Sequence, residues 1–245
     1  MRTAAPSRRP LGAVVLAWVL LAPAAPAGAH GAEPHLAAPP EAASPEPTPP
    51  FEPTPPFGPA PLFEPPPPGS YELPPIATVR NHLLLDERGL PARFPALERG
   101  QVAVVSFVYG SCPSGCPLAL ATLQRLDRDL AGREGLAPRV RLVTVSFDPG
   151  SDAPARMAEI RQHLAPRGRW SFLTGRDDAG LAPVLDDYGQ RVMRQVDPHG
   201  ANTGVLDHVL KVYLVDDWLR IRNVYSVGLM DARLILNDIQ TVLAD

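Results

Sequence analysis

The stretch VAVVSFVYGSCPSGCPLALATLQRLDRDLAG, residues 102–132, decides the fold. Val102 to Tyr109 form a continuous, valine-rich apolar run, the mark of a strand buried on both faces. After the cysteine loop, Leu120, Leu123, Leu126 and Leu130 recur at helical spacing, and Gly132 stops the helix they predict. Cys112 and Cys116, the only cysteines in the chain, therefore lie where a buried strand ends and a helix begins. Pro117 at the helix start leaves Cys112 in the entering loop, so the two sulfurs can converge. Helix N-terminal N–H groups favour thiolates, which predicts ionised sulfurs near neutral pH. A redox pair, a metal clamp, a structural disulfide and inert core thiols all remain open here. The spacing is C-x-x-x-C, whereas the usual dithiol oxidoreductase signature is C-x-x-C.

Downstream, RVRLVTVSF (139–147) reads as a second buried strand ending at Asp148-Pro149. DAPARMAEIRQHLAP (152–166) reads as a helix with Asp152 as N-cap and Pro166 beyond its end. WSFLTG (170–175) is a short strand and DDAGLAPVLDDYG (177–189) a further helix. VLKVYLVD (209–216) and LRIRNVYSV (219–227) form a hairpin about Asp216-Asp217, and DARLILNDIQTVLAD (231–245) closes the chain as an amphipathic helix. Upstream, LLLDERGLPARF (83–94) predicts another hairpin, turning at Glu87 to Gly89. The order implies an α/β sheet with helices on both faces, in a thioredoxin-like arrangement with an N-terminal β-hairpin. In such a sheet the loop after the first buried strand is a natural site for chemistry.

The remaining chain divides into two further parts. Residues 1–29 have the three parts of an export signal: Arg2, Arg8 and Arg9, then an apolar core from Leu11 to Leu21, then Ala27-Gly28-Ala29 for cleavage before His30. Pro23 and Pro26 argue against a continuous membrane-spanning helix, and an uncleaved anchor is the alternative. SRRPLG (7–12) also matches a twin-arginine signal loosely. Residues 30–75 form a proline-rich segment: 18 of the chain's 32 prolines fall between Pro34 and Pro75. That composition predicts an extended, disordered spacer before a domain spanning 76–245. The expected location is a periplasm or its equivalent, with a tether to the inner membrane if residues 1–29 are retained. Removing the three signal arginines takes the formal charge from −3 to −6, and no basic stripe marks a nucleic-acid partner.

Six histidines are available as further ligands. His163 falls in a helix's last turn, where a cation suits the dipole. His82 reads as a surface residue of an edge strand, His199 sits in a polar, turn-rich loop, and His30 and His35 lie beside the cleavage site. His208 stands apart, at the start of a strand after a long loop that faces the cysteine loop in a thioredoxin-like layout.

FVYGSCPSGCP (107–117) resembles the F-x-Y-x-x-C-P-x-x-C-P signature of the Sco/SenC proteins, copper chaperones for cytochrome c oxidase assembly. The resemblance continues through LLLDERG, VSFDPGSDAP, WSFLTG and DHVLKVYLVD, and covers roughly residues 76–243. It implies that Cys112, Cys116 and His208 bind copper, Cu(I) or Cu(II), with Asp207 orienting His208 or tuning the site from behind it. Asp148 and Asp152 match the family's D-P-x-x-D-x-P segment and read as loop and cap residues, not ligands. The implied partner is the copper-bearing subunit of cytochrome c oxidase, with another periplasmic copper chaperone or a thiol reductant as further partners. Ser114, where the family often has an acidic residue, and Asp217-Trp218, where a glycine-containing turn is usual, depart from the pattern. A metallochaperone without turnover of its own, a thiol-disulfide oxidoreductase and a binding domain with a structural disulfide are the three expectations to be separated.

Overall fold

The computed structural model describes residues 63–112 and 115–245. In chain order its elements are β1 (Ala77–Thr78), β2 (His82–Leu85), β3 (Pro91–Phe94), β4 (Val102–Val108), α1 (Gly115–Ala131), β5 (Val140–Ser146) and α2 (Pro154–Leu164). There follow β6 (Trp170–Leu173), α3 (Asp178–Asp187), β7 (Val192–Val196), β8 (Asn202–His208), β9 (Lys211–Val215), β10 (Arg220–Ser226) and α4 (Ala232–Ala244). Six strands form one sheet in the order β1-β10-β9-β4-β5-β6. β4, β5 and β6 run parallel, whereas β9 is antiparallel to β4 and turns back through β10.

Every residue of β4 is buried, as its unbroken apolar run requires. Strand alternation sends Val102 and Val104 to the face covered by Leu123, Leu126 and Leu130 of α1, Met157 of α2 and Ile235 and Ile239 of α4. Ala103, Val105 and Phe107 face Leu181 and Val184 of α3, with Leu84 and Phe94 of the β2–β3 hairpin. Each such aliphatic side chain contributes roughly 1.5–3 kcal/mol by leaving water. Several of the polar groups inside pair with one another. Ser106 Oγ and Thr144 Oγ1 lie 2.9 Å apart, and Trp170 Nε1 donates to the same Thr144 oxygen. Residues 1–62, on which the expected export signal and most of the expected spacer fall, lie outside the described residues.

Four local readings need correction. The last part of the proline-rich segment is not free: residues 63–75 are strapped across α4 and β10. Gly69 N–H donates to Thr241 Oγ1 (2.9 Å), Arg222 and Asn237 hold the Leu73 and Pro66 carbonyls, and Tyr71 Oη donates to buried Asp238. Sequence composition shows too little core in this segment, yet a docked extended chain needs only anchors. Asp152 does not cap α2, whose N-cap is Ala153 without a side-chain bond; its carboxylate turns inward instead. His82 is mostly buried, with Nε2 2.7 Å from the Asp187 carboxylate. The segment read as a long loop before His208 is the two-stranded ribbon β7–β8.

Candidate metal centre

The site is built from the two ends the fold brings together. β4 runs out at Val108, and Cys112 follows in the loop, its N–H donating to the Tyr109 carbonyl at 3.2 Å. Cys116 lies in the first turn of α1, only 2% exposed, and its N–H donates to Cys112 Sγ at 3.3 Å. Cys112 is half-buried, and both cysteines are free thiols. A Cβ at Gly115 would come within 2.5 Å of Leu210 Cδ1. Glycine therefore lets the segment after His208 close down on the start of α1.

His208 ends β8. Its Nδ1 lies 2.9 Å from the Leu206 carbonyl oxygen, which only accepts, so the hydrogen sits on Nδ1 and Nε2 presents a lone pair. The ring packs edge-on against Tyr109 (5.4 Å between centroids) and tilted against Phe147 (4.6 Å). Among the described residues, His208 Nε2 is one of three buried side-chain polar atoms with no hydrogen-bond partner. One ligand atom from each of Cys112, Cys116 and His208 lies within 4.8 Å of the other two. A buried, unpaired ring nitrogen on a histidine beside two thiols is an arrangement a cation completes, since an unpaired buried acceptor otherwise costs about 1–3 kcal/mol. Two sulfurs and one imidazole suit a soft or borderline ion, Cu(I) foremost.

The structure thus unites the three residues named from the sequence and separates a fourth. Asp207 is exposed on the opposite side of β8 from His208, where it accepts from Gln195 Nε2 at 2.6 Å. Strand alternation makes adjacent side chains point apart, so the histidine is oriented by the Leu206 carbonyl and not by its neighbouring carboxylate. The expectation of ready thiolates also fails for Cys116. Burial pushes its pKa far up, with the hydrogen bond its thiol donates to Cys112 adding to the rise, and these outweigh the helix N-terminus while no cation is bound. His199 lies in the turn of the β7–β8 ribbon, where its N–H donates to Asp197 Oδ1 at 2.8 Å, and His163 is exposed near the end of α2.

Fold and site together define a thioredoxin-like domain with a two-cysteine, one-histidine centre where β4 meets α1. A family model described as SCO1/SenC matches residues 75–244, and the chain belongs to that family. Among its relatives, the mitochondrial protein SCO2 homolog of Bos taurus is 34% identical over 133 residues, 54% of this chain and 47% of that protein. The chain thus spans about half the length of the curated relatives it matches. Copper-bound ScoI of Arabidopsis thaliana has the same fold: TM-score 0.58, 20% identity, 69% of this chain and 99% of that one. BsSco, described through a disulfide switch and as a Sco-family cytochrome c oxidase assembly protein, superposes with TM-score 0.56 at 21% identity, covering 71% of this chain and 98% of its own. No helix among the described residues is long and apolar enough to cross a membrane.

Proposed function

We propose that this chain binds copper through Cys112, Cys116 and His208 and delivers it to the dinuclear copper site of cytochrome c oxidase during assembly. The observation that carries the reading is the buried, unpartnered Nε2 of His208 beside two free thiols. Family membership supports it, since relatives of the same fold are copper-bound or described as oxidase assembly proteins. Two sulfurs and one nitrogen satisfy Cu(I), and Cu(II) needs a further ligand or water. Three protein ligands beyond the C-terminal end of β4 leave room for an incoming ligand, and half-buried Cys112 is the sulfur an acceptor protein meets first. The partner in this reading is the oxidase's copper-bearing subunit, supplied by another copper chaperone. The location is a periplasm or its equivalent, a reading supported by the sequence of residues 1–29 alone. Protein sequencing of the mature N-terminus tests cleavage against a retained tether.

The test is copper binding by the full chain, fully reduced, titrated separately with Cu(I) and Cu(II) against competing chelators. Wild type is compared with Cys112→Ser and His208→Ala. The expected result is one tightly bound copper per chain, weakened by both substitutions. Weak binding indifferent to His208 would overturn the reading.

A second reading has its own support. A half-buried Cys112 beside a buried Cys116 is the arrangement of an attacking and a resolving thiol. An oxidoreductase of this kind keeps client cysteines reduced, takes its electrons from a thiol reductant, and survives loss of His208. Disulfide-exchange rates in His208→Ala separate it from the metallochaperone.

A further inference from the structure

One loop holds both halves of the centre. Residues 147–153, between β5 and α2, carry Asp148 and Asp152, each under 5% exposed. Asp152 accepts from the Gly110 N–H at 2.8 Å, at the start of the cysteine loop, while Arg156 Nη2 donates to the Gly110 carbonyl at 3.2 Å. Asp148 accepts from Arg194 Nη2 at 3.0 Å. Ser146 ties the Asp152 carboxylate to the Asp148 backbone, its Oγ donating to Asp152 and accepting from the Asp148 N–H. Phe147, from the same loop, lies against the His208 ring.

Arg194 belongs to β7 and is the cross-strand partner of Leu206, whose carbonyl fixes His208. It also reaches Asp178 at the start of α3, at 3.3 Å. Its apolar anchorage is confined to buried Leu206, half-buried Val192 and the His208 ring, whereas Met193, Val196 and Val205 are exposed. Among the described residues, every ion pair of the ribbon is made by Arg194. The Asp148 side chain is only 5% exposed, so losing this partner leaves a shielded carboxylate uncompensated.

We propose that Arg194 is a positioning residue of the metal centre: its ion pair with Asp148 sets where the β7–β8 ribbon lies, and thereby where His208 Nε2 stands relative to the two sulfurs. This rests on the metal-binding reading above. A ribbon already latched does not have to be ordered when the ion arrives, so the imidazole's contribution to affinity is kept. Breaking the latch should weaken the imidazole bond and leave the thiolate bonds alone.

The experiment is a Cu(I) competition titration of the reduced full chain as wild type, Arg194→Ala, Arg194→Lys, His208→Ala, the Arg194→Ala/His208→Ala double variant, and Arg80→Ala. Arg80 pairs with Asp187 away from the site and serves as the control. Arg194→Ala is expected to weaken binding roughly tenfold, as for other residues that orient a ligand, and Arg194→Lys to restore part of it. Arg80→Ala should bind as wild type, and in the His208→Ala background Arg194→Ala should add nothing. Wild-type affinity in Arg194→Ala, or an equal loss in both backgrounds, would overturn the proposal. Amide hydrogen exchange of the metal-free proteins is read beside it. Faster exchange confined to β7–β8 in Arg194→Ala supports the latch, and unchanged exchange overturns it. If His208→Ala binds copper as wild type does, the metal role of His208 has failed, and the exchange result alone decides the latch.

Discussion

The cysteine loop and the histidine ribbon meet at one centre but are held in different ways. The loop joins β4, buried throughout, to α1, whose Ala119, Leu123 and Leu126 are also buried. Its place is set by burial on both sides, and Gly110 and Gly115 allow the close approaches at its two ends. The ribbon lies off the six-stranded sheet and buries Leu206, and one arginine makes its ion pairs to the domain. The half that supplies two ligands is continuous with the core, whereas the half that supplies one is latched to it. In the proposed role of taking up and releasing an ion, this division is useful, because one ligand can yield without the domain unfolding.

The largest expected effect tests the core side. Phe107→Ala removes a fully buried ring that touches Tyr188 and Tyr213, and should cost about 3–5 kcal/mol in denaturant unfolding. A smaller loss would mean that the loop's anchorage is looser than its burial indicates. Gly110→Ala comes next, because a Cβ there meets Asp152 Oδ1 at 2.5 Å and Arg156 Nε at 2.9 Å. Displacing that buried carboxylate should cost roughly 1–3 kcal/mol, and chelator competition should show weakened copper binding as well.

The third expectation concerns pH. In the metal-free, reduced protein the Cys116 thiol is held above its ordinary value of 9.0 by burial. As pH rises past that value the unfolded chain releases the proton and the folded chain keeps it, so the unfolded state binds fewer protons and stability falls. The slope should reach up to about 1.4 kcal/mol per pH unit. The fall opens near pH 9, where the buried tyrosines, also held above their ordinary value of 10.0, add to it as pH climbs, so Cys116→Ala should lessen the slope in denaturant melts without abolishing it. The smallest effect belongs to the ribbon's outer face: Val205→Ala, at a 39% exposed side chain, should change stability by less than about 0.5 kcal/mol. A large loss there would show that the ribbon is part of the core after all.

Much of this was readable along the chain. The unbroken run at Val102–Val108, the leucine spacing of α1 and the position of the cysteines between them are local patterns, and each element formed as its pattern requires. The ribbon was missed although Asp197-Pro198-His199-Gly200 is turn chemistry between two short strands, a signal that could have found it. Asp152 had the residue type and position of a cap, but the Gly110 N–H and Ser146 hydroxyl claim its carboxylate from inside. Asp207 stood next to the histidine in sequence and proved to face away from it, since neighbours on a strand point to opposite sides.

By itself the sequence determined most of the elements, their order along the chain, and the residue types able to hold a soft ion. Periodicity, caps and turns act over a few residues, so they can be read in a short window. Only the tertiary structure decided that His208 Nε2 would be buried without a partner, that a ligand atom of His208 would come within 4.8 Å of those of the two cysteines, that burial would raise Cys116, and that Arg194 would pair with Asp148. Those properties belong to groups far apart in the chain, and they arise when packing removes water from between them and fixes their distances.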